Sequence, residues 1–334
     1  MEKRDTNILI LSAGRRVELV NCFKAARDRL GIEGEIIAAD ASPLAPALYF
    51  ADDKEIVPYI SQNDSYVNSI IKICNKYGVD LVVPTIDTEL LLLAKRREQI
   101  EGETKAKLLI SSLDVITVCR DKTNTQRWLE DHDFLVPRRI SDEDIDSGRA
   151  IYPLFIKPLD GSSSINAYRV ESKDELDTYR RLIGKDRYIV QDFMEGTEYT
   201  VDCFLDMDGN IITIVPRIRI ATRSGEIAKG RIVRDEGIIK DVERLLTCLH
   251  PIGHITIQCM RTDRGIEYIE INPRFGGGAP MSIAAGADSC ENLYRLLKGE
   301  KLIRNESFRD NITFLRFDAS IMLNEDNELE SITQ

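Results

Sequence analysis

Residues 254–260 and 266–272 largely alternate between apolar and polar side chains, and Arg261-Thr262-Asp263-Arg264-Gly265 between them is turn-forming. Period-two alternation on both sides of a turn predicts a β-hairpin. A hairpin centred near Arg264 sets Gln258 opposite Glu270. One face then carries Ile255, Ile257, Cys259, Ile269 and Ile271, and the other carries Gln258, Glu270 and Asn272. One face is core; the other offers three oxygen ligands side by side. A single carboxylate among neutral oxygens suits Mg2+ (or Mn2+), which completes its octahedron with phosphate and water. Arg274, just past the strand, is placed to grip a transferring phosphoryl group. The alternation by itself also describes the polar outer face of an ordinary hairpin. Pro273 and Gly276-Gly277-Gly278, restricted and permissive backbones at a strand end, point instead to a close approach to a ligand.

The first third repeats strand, turn, helix: an apolar run at 7–11, a turn at 12–16, helical spacing over 17–30, a strand at 35–39 ending at Asp40, another at 79–83 closed by Pro84, and a last one at 108–111. That order implies a small parallel sheet. A Rossmann dinucleotide site, suggested by Asp40 falling 26 residues beyond Gly14, is the weaker alternative, because G-x-G-x-x-G is missing and Arg15 and Arg16 stand where glycines are needed. Arg15, at a strand-to-helix turn, is either a ligand for a substrate carboxylate or phosphate, or solvated surface. Asp87 and Glu89, at the mouth of a later strand, are candidates to hold a substrate amine.

Further along, Asp121-Lys122 opens a helix over 123–133. A strand at 153–157 ends in Lys157 and runs into Asp160-Gly161-Ser162-Ser163-Ser164, whose small residues can cradle phosphate through amides and hydroxyls. It is not a Walker loop, since no G-x-x-x-x-G-K-[ST] occurs. Two apolar strands then flank Glu195-Gly196, a hinge between sheets. Arg217, Arg219 and Arg223 share one face of an extended strand, which reads either as a charge-protected edge or as a basic wall beside a γ-phosphate, with Arg219 foremost. Small residues at 279–287 predict a helix closing the site. Beyond Leu302 one more strand (311–323) and a frayed polar tail (324–334) are expected.

The net charge of −11 argues against nucleic-acid and anionic-membrane partners. No apolar run reaches about 18 residues and no signal peptide opens the chain, so a cytoplasmic protein is expected. Seven scattered cysteines without CxxC read as reduced core residues, and three histidines make no metal-spaced cluster.

The series Lys122, Lys157, Glu198, Gln258, Glu270, Asn272, Arg274 resembles the ATP-grasp superfamily, and Gln258 with Glu270-Ile271-Asn272-Pro273-Arg274 is similar to the ATP-grasp halves of the carbamoyl phosphate synthetase large subunit. The resemblance covers roughly residues 7–300. It implies a Rossmann-like pre-ATP-grasp parallel sheet (1–115), an ATP-grasp small lobe with the phosphate lid (116–196) and a large lobe with the metal site (197–334), an α/β and α+β architecture. It implies ATP and Mg2+ as cofactors: Gln258, Glu270 and Asn272 on the metal, Lys122, Lys157, Ser162 and Ser163 on phosphate, backbone at Asp192 and Met194 on the adenine edge, Glu198 on the ribose. Arg274, Lys157 and Arg219 are the implied catalytic groups, with Arg15, Asp87, Glu89 and Arg217 facing substrate. The chain is far shorter than the synthetase subunit and has one such unit, so it is not expected to be that enzyme. The implied reaction is ATP-dependent ligation of a small carboxylate and an amine through an acyl phosphate, releasing ADP and phosphate. A carbamate- or carboxylate-phosphorylating enzyme is the alternative; a non-catalytic ATP-binding module is another. Apolar faces in the first lobe leave room for a homodimer.

Overall fold

A computed structural model describes residues 6–159, 166–184 and 188–333. The chain begins with β1 (Asn7–Ile10), α1 (Val17–Arg29), β2 (Ile36–Asp40), β3 (Asp53–Ile56), α2 (Asn63–Tyr77), β4 (Val79–Val83), α3 (Asp87–Lys95), α4 (Arg97–Glu103) and β5 (Lys107–Leu108). These strands form a parallel sheet in the order β3-β2-β1-β4-β5. Ile8, Leu9, Ile10, Ile36, Ile37, Leu81, Val82 and Val83 are wholly buried, because helices cover both faces of the sheet. The edge strand β3 (Asp-Lys-Glu-Ile) was not foreseen. It is half-exposed and polar, so no apolar run announces it.

Two helices, α5 (Leu113–Arg120) and α6 (Lys122–Asp131), lead out of this lobe. The Asp121 side chain caps α6 by accepting from the Asn124 N–H. After α7 (Asp142–Asp146), a three-stranded sheet forms from β6 (Leu154–Pro158), β7 (Tyr168–Val170) and β8 (Tyr188–Asp192), in the order β7-β6-β8. It is backed by α8 (Lys173–Ile183) and has its own core of Ile140, Leu154, Ile156, Val170, Leu176 and Val190.

The remainder is built on a six-stranded sheet: β9 (Thr197–Leu205), β10 (Ile211–Arg223), β11 (Glu226–Ile232), β12 (Gly253–Thr262), β13 (Gly265–Asn272) and β14 (Ile312–Leu315), in the order β13-β12-β9-β10-β11-β14. The amphipathic helix α9 (Glu236–Leu249) buries Ile238, Val242, Leu245 and Leu246 against Val201, Cys203, Ile255, Ile257, Cys259 and Ile271. Only the opposite face of the sheet is then left to line a cleft. Helices α10 (Ala279–Ala284) and α11 (Ser289–Leu297) pack on α1 and tie this sheet to the first lobe.

The C-terminal expectation is corrected. The 311–323 run is broken into β14 and β15 (Ser320–Leu323), and the supposedly frayed tail folds back as β16 (Leu329–Thr333) to pair with β15. Ile321, Met322 and Leu323 in one arm and Leu329 and Ile332 in the other, with Asn327 in a left-handed turn between them, are the weak hairpin signal that polar composition masked. All seven cysteines are unpaired. Among the described residues no helix is long and apolar enough to cross a membrane.

Candidate active site

The β12–β13 register is the expected one: Gln258 stands opposite Glu270, and Thr256 opposite Asn272. Extended across the sheet, Glu270, Gln258, Thr200 and Arg217 make one row over four strands, with Asn272, Thr256 and Asp202 in the row beside it. The face passes from oxygen acceptors on β13 to guanidinium donors on β10. Parity fails at one point. A bulge opposite Gln258 and Cys259 turns Ile269 out of the core, and Tyr268 takes its place, buried against Phe134 and donating to Asp241 at 2.8 Å. Ile269 instead lines the cleft.

Asn272 donates to Glu270 at 2.8 Å, and Gln258 donates to Glu198. The amide nitrogens are thus turned onto carboxylates, which leaves the amide oxygens as the outward groups. Among the described residues no three His, Cys, Asp or Glu side chains gather as a metal cage. A cation here depends on one carboxylate, amide oxygens and oxygens brought by a ligand; that donor set fits Mg2+ held jointly with phosphate.

Arg217 is fully buried and gives Nη2 to Asp202 at 3.1 Å, while its Nε and Nη1 have no partner among the described residues. Burial pushes the Asp202 carboxyl up, but Arg217, His254 and Ser282 (Oγ donating at 2.6 Å) hold it well below the usual carboxylate range. Arg219 lies 2.9 Å from Glu198 and donates to Thr200 Oγ1 and the Gly225 carbonyl. The three-arginine wall is corrected to two. The β10–β11 pairing slips on either side of Ala221, and Arg223 leaves the cleft to pair with Asp318 in solvent. Glu198, expected at the ribose, sits between Gln258 and Arg219.

The triple glycine acts by packing. A Cβ on Gly278 would lie 2.5 Å from Arg217 Nη2, and one on Gly276 would lie 2.7 Å from Thr256 Oγ1. At these two positions the space a side chain would take is filled by protein, while all three glycines border the cavity.

From the first lobe come Asp87 and Arg16. Asp87 grips Arg274, with Nε 3.1 Å from both carboxylate oxygens. Arg16 donates to the Thr85 carbonyl at 3.3 Å; burial and the neighbouring Arg274 push its guanidinium down to about 10. Arg15 points away, 86% exposed and 4.0 Å from Asp318, so the cleft takes the second arginine of the pair, not the first. Glu89 is corrected outright. It is wholly buried and accepts from Ser12, Tyr66, Thr85 N–H and Ile86 N–H, closing the first turn of α3.

At the other end, Lys122 donates to the Pro158 carbonyl at 3.1 Å. Lys157 is pushed down to about 8 by burial and by Lys122, against the pull of Glu270. A slot of Leu129, Val136, Ile189 and Ile269 adjoins both lysines. Met194 is half-buried on the hinge after β8. Of the Asp192 backbone expected at the adenine edge, the N–H donates to the Arg138 carbonyl at 2.9 Å, and the Asp192 carboxylate pairs with Arg138. Ser162 and Ser163 lie outside the described residues.

One cavity of about 520 Å3 therefore collects Lys122, Gln258, Glu270, Asn272, Arg274, Arg217, Arg219, Arg16 and Asp87. Arg16, Ile269 and Asp202 were missed by sequence reasoning. The adjacent Arg15-Arg16 pair carried a signal for the first of these, but nothing local marks a bulge or a buried counter-ion.

Residues 8–108 match the family described as PylC-like, N-terminal domain, and residues 119–278 match the ATP-grasp domain. The chain is 24% identical over 144 residues to carbamoyl-phosphate synthase of Methanobrevibacter smithii; the match covers 42% of this chain and 38% of that one, so it spans under half of the relative. The biotin carboxylase domain of Hydrogenobacter thermophilus 2-oxoglutarate carboxylase, crystallised with MgADP and bicarbonate, superposes with a TM-score of 0.70 at 15% identity, covering 93% of this chain and 74% of that one. L-amino acid ligase of Bacillus licheniformis superposes at 0.68 and 18% identity, covering 92% and 77%. At these identities the superpositions are likenesses of fold. With Lys122, Lys157, Arg219, Gln258, Glu270, Asn272 and Arg274 all falling between 119 and 278, the chain carries an ATP-grasp domain with a PylC-like N-terminal domain ahead of it.

Proposed function

We propose that this protein is an ATP-dependent carboxylate–amine ligase working through an acyl phosphate, with release of ADP and phosphate. The observation that carries the reading is the convergence, in one cavity, of a carboxylate-and-amide row on β12–β13 with Lys122, Arg219 and Arg274. Leu129, Val136, Ile189 and Ile269 offer apolar walls to an adenine ring, with Met194 at the hinge, but the slot between them holds only about 10 Å3 and must widen to admit one. Lys157 and Lys122 would hold the nucleotide's phosphates, the role that the resemblance also gives Ser162 and Ser163. When bound through Glu270, Asn272 and Gln258, Mg2+ (or Mn2+) would neutralise charge on the phosphates. Arg219 and Arg274 would stabilise the charge that develops on the phosphoryl group as the substrate carboxylate attacks. Arg217, with unpartnered N–H groups against the cavity, suits the substrate's own anionic end. The amine then attacks the acyl carbon and expels phosphate, so no protein nucleophile is required.

In this reading the division is 1–115, 116–196 and 197–334, the first part contributing Arg16 and Asp87 to the acceptor side. Cytoplasmic location and a homodimer belong to the same proposal. M. smithii carbamoyl-phosphate synthase supports one second reading, phosphorylation of carbamate ending at the acyl phosphate.

Incubation with ATP, Mg2+, hydroxylamine and pooled amino acids and small carboxylates tests it. Hydroxamate rising in step with ADP is the expected result, and dividing the pool then names the carboxylate. ADP formed only when bicarbonate is supplied, without hydroxamate, would favour the second reading. Bound ATP with neither product would leave a binding module.

A further inference from the structure

Asp87 was a candidate for holding a substrate amine, but its carboxylate is already committed. Arg274 Nε lies 3.1 Å from Oδ1 and 3.1 Å from Oδ2, and Nη2 lies 2.5 Å from Oδ2. The partners are 187 residues apart in sequence, on different lobes, and their side chains are only 13% and 27% exposed. The grip is side-on, along the Nε–Nη2 edge. Nη1 also donates to the Phe275 carbonyl at 3.2 Å. The remaining N–H groups of Nη1 and Nη2 form the end fork of the guanidinium, and Arg274 borders the cavity. An end fork held in this way presents two parallel donors to a carboxylate or phosphoryl group.

Asp87 is itself fixed. It is the first residue of α3, whose opening turn is closed by Glu89 accepting from Thr85 and Ile86 N–H. Charge gives the pair a second role. Burial, and after it the charge of Arg274, push Arg16 down to about 10, and Arg217 and Arg219 border the same cavity. Without a carboxylate beside it, Arg274 would be repelled out of this cluster of cations.

The geometry points to Asp87 as the positioning residue for Arg274: it acts on phosphoryl transfer through the arginine and does not bind the amine. This rests on the ligase reading for its catalytic consequence, but not for the orientation itself. Two measurements separate the two.

The first is phenylglyoxal labelling of the ligand-free protein, followed residue by residue by peptide mass spectrometry. Loss of a charge-assisted, two-point hydrogen bond predicts that Asp87→Asn labels Arg274 about tenfold faster or more. Arg219, held by Glu198, keeps its rate. Asp87→Glu, which retains the carboxylate, returns Arg274 to slow labelling. A general loosening of the fold would accelerate both arginines together. Unchanged labelling of Arg274, or equal acceleration of both, overturns the inference whatever the protein catalyses.

The second is a double-mutant cycle on the reverse half-reaction, MgADP plus carbamoyl phosphate giving ATP and carbamate. The bond from phosphorus to the acyl oxygen breaks and one to the ADP β-phosphate oxygen forms. Asp87→Asn is expected to lower kcat about a hundredfold with the KM for MgADP unchanged. Asp87→Asn/Arg274→Met should be no slower than Arg274→Met alone. Multiplying losses would mean that Asp87 acts independently of the arginine, and the inference falls. A wild-type protein that makes no ATP from carbamoyl phosphate sinks the carbamate reading and leaves the ligase reading to the hydroxamate assay, while the labelling still decides the inference.

Discussion

Lys157 makes nucleotide affinity depend on pH in a way the structure specifies. Its ammonium is pushed down to about 8, first by burial and then by Lys122, with Glu270 pulling the other way. If Lys157 contacts the nucleotide's phosphates, their negative charge favours the protonated amine and restores a value near or above that of free lysine. The bound form then holds a proton that part of the free protein lacks. With a free value about 8, the proton taken up per MgADP is about 0.1 at pH 7, about 0.5 at pH 8 and about 0.9 at pH 9. By linkage the affinity is flat below about pH 7 and falls about tenfold per unit above about pH 8, because the charged lysine favours the complex and is lost as pH rises through its free value. Titration calorimetry in buffers of different ionisation enthalpy, at each pH, reads the proton number directly. Lys157→Met should bind MgADP more weakly and show neither uptake nor slope across this range. Uptake near zero at pH 9 in the wild type, or the same uptake in Lys157→Met, would refute the placing of Lys157 on phosphate.

Glu89→Ala strips the acceptor from two hydroxyls and two buried N–H groups and is expected to cost about 3–5 kcal/mol in a urea titration; a loss under about 1 kcal/mol with abolished turnover would return Glu89 to a substrate role. Gly278→Ala drives a Cβ to 2.5 Å from the immobile Arg217 and should lower stability by about 1–3 kcal/mol as well as turnover. Gly277→Ala, whose nearest atoms are 3.2 and 3.3 Å away, should be milder on both counts, and the reverse order would show that the loop is not packed as described. Arg223→Ala should leave turnover within about twofold while Arg219→Ala loses about a hundredfold; equal losses in a kcat comparison would restore the three-arginine wall.

What could be seen in the sequence was whatever repeats along the chain. Alternation sets Gln258 opposite Glu270, because side-chain direction in a strand has period two and both ligands lie on one side of the bulge. The same rule misassigned Ile269, because one extra residue inverts parity from there to the turn, and no residue type announces it. Arg223 failed for the same reason, at the slips beside Ala221. The parallel sheet was legible from its apolar runs except for β3, which lies at an edge and is polar.

The remaining misses share another cause: a polar residue's role is set by a partner that the local sequence does not contain. Glu89 reads as an exposed helix-start carboxylate until Ser12 and Tyr66 are brought against it. Arg217 reads as one of three surface arginines until Asp202 meets it from the neighbouring strand, within a network reaching Ser282 and Thr256. Arg15 and Arg16 are alike as residues, and only the packing of α1 decides which one enters the cleft. Burial makes these partners obligatory, since an unpaired charge in such a place costs several kcal/mol. The buried side of the site is therefore fixed by charge pairing between distant segments. Its open side, from Glu270 across Gln258 to Arg219, keeps the strand periodicity in which it could be recognised. Arg217 and Arg16, which keep buried N–H groups without a partner among the described residues, stand where these two sides meet, and an anionic substrate group there would satisfy donors that the fold has left open.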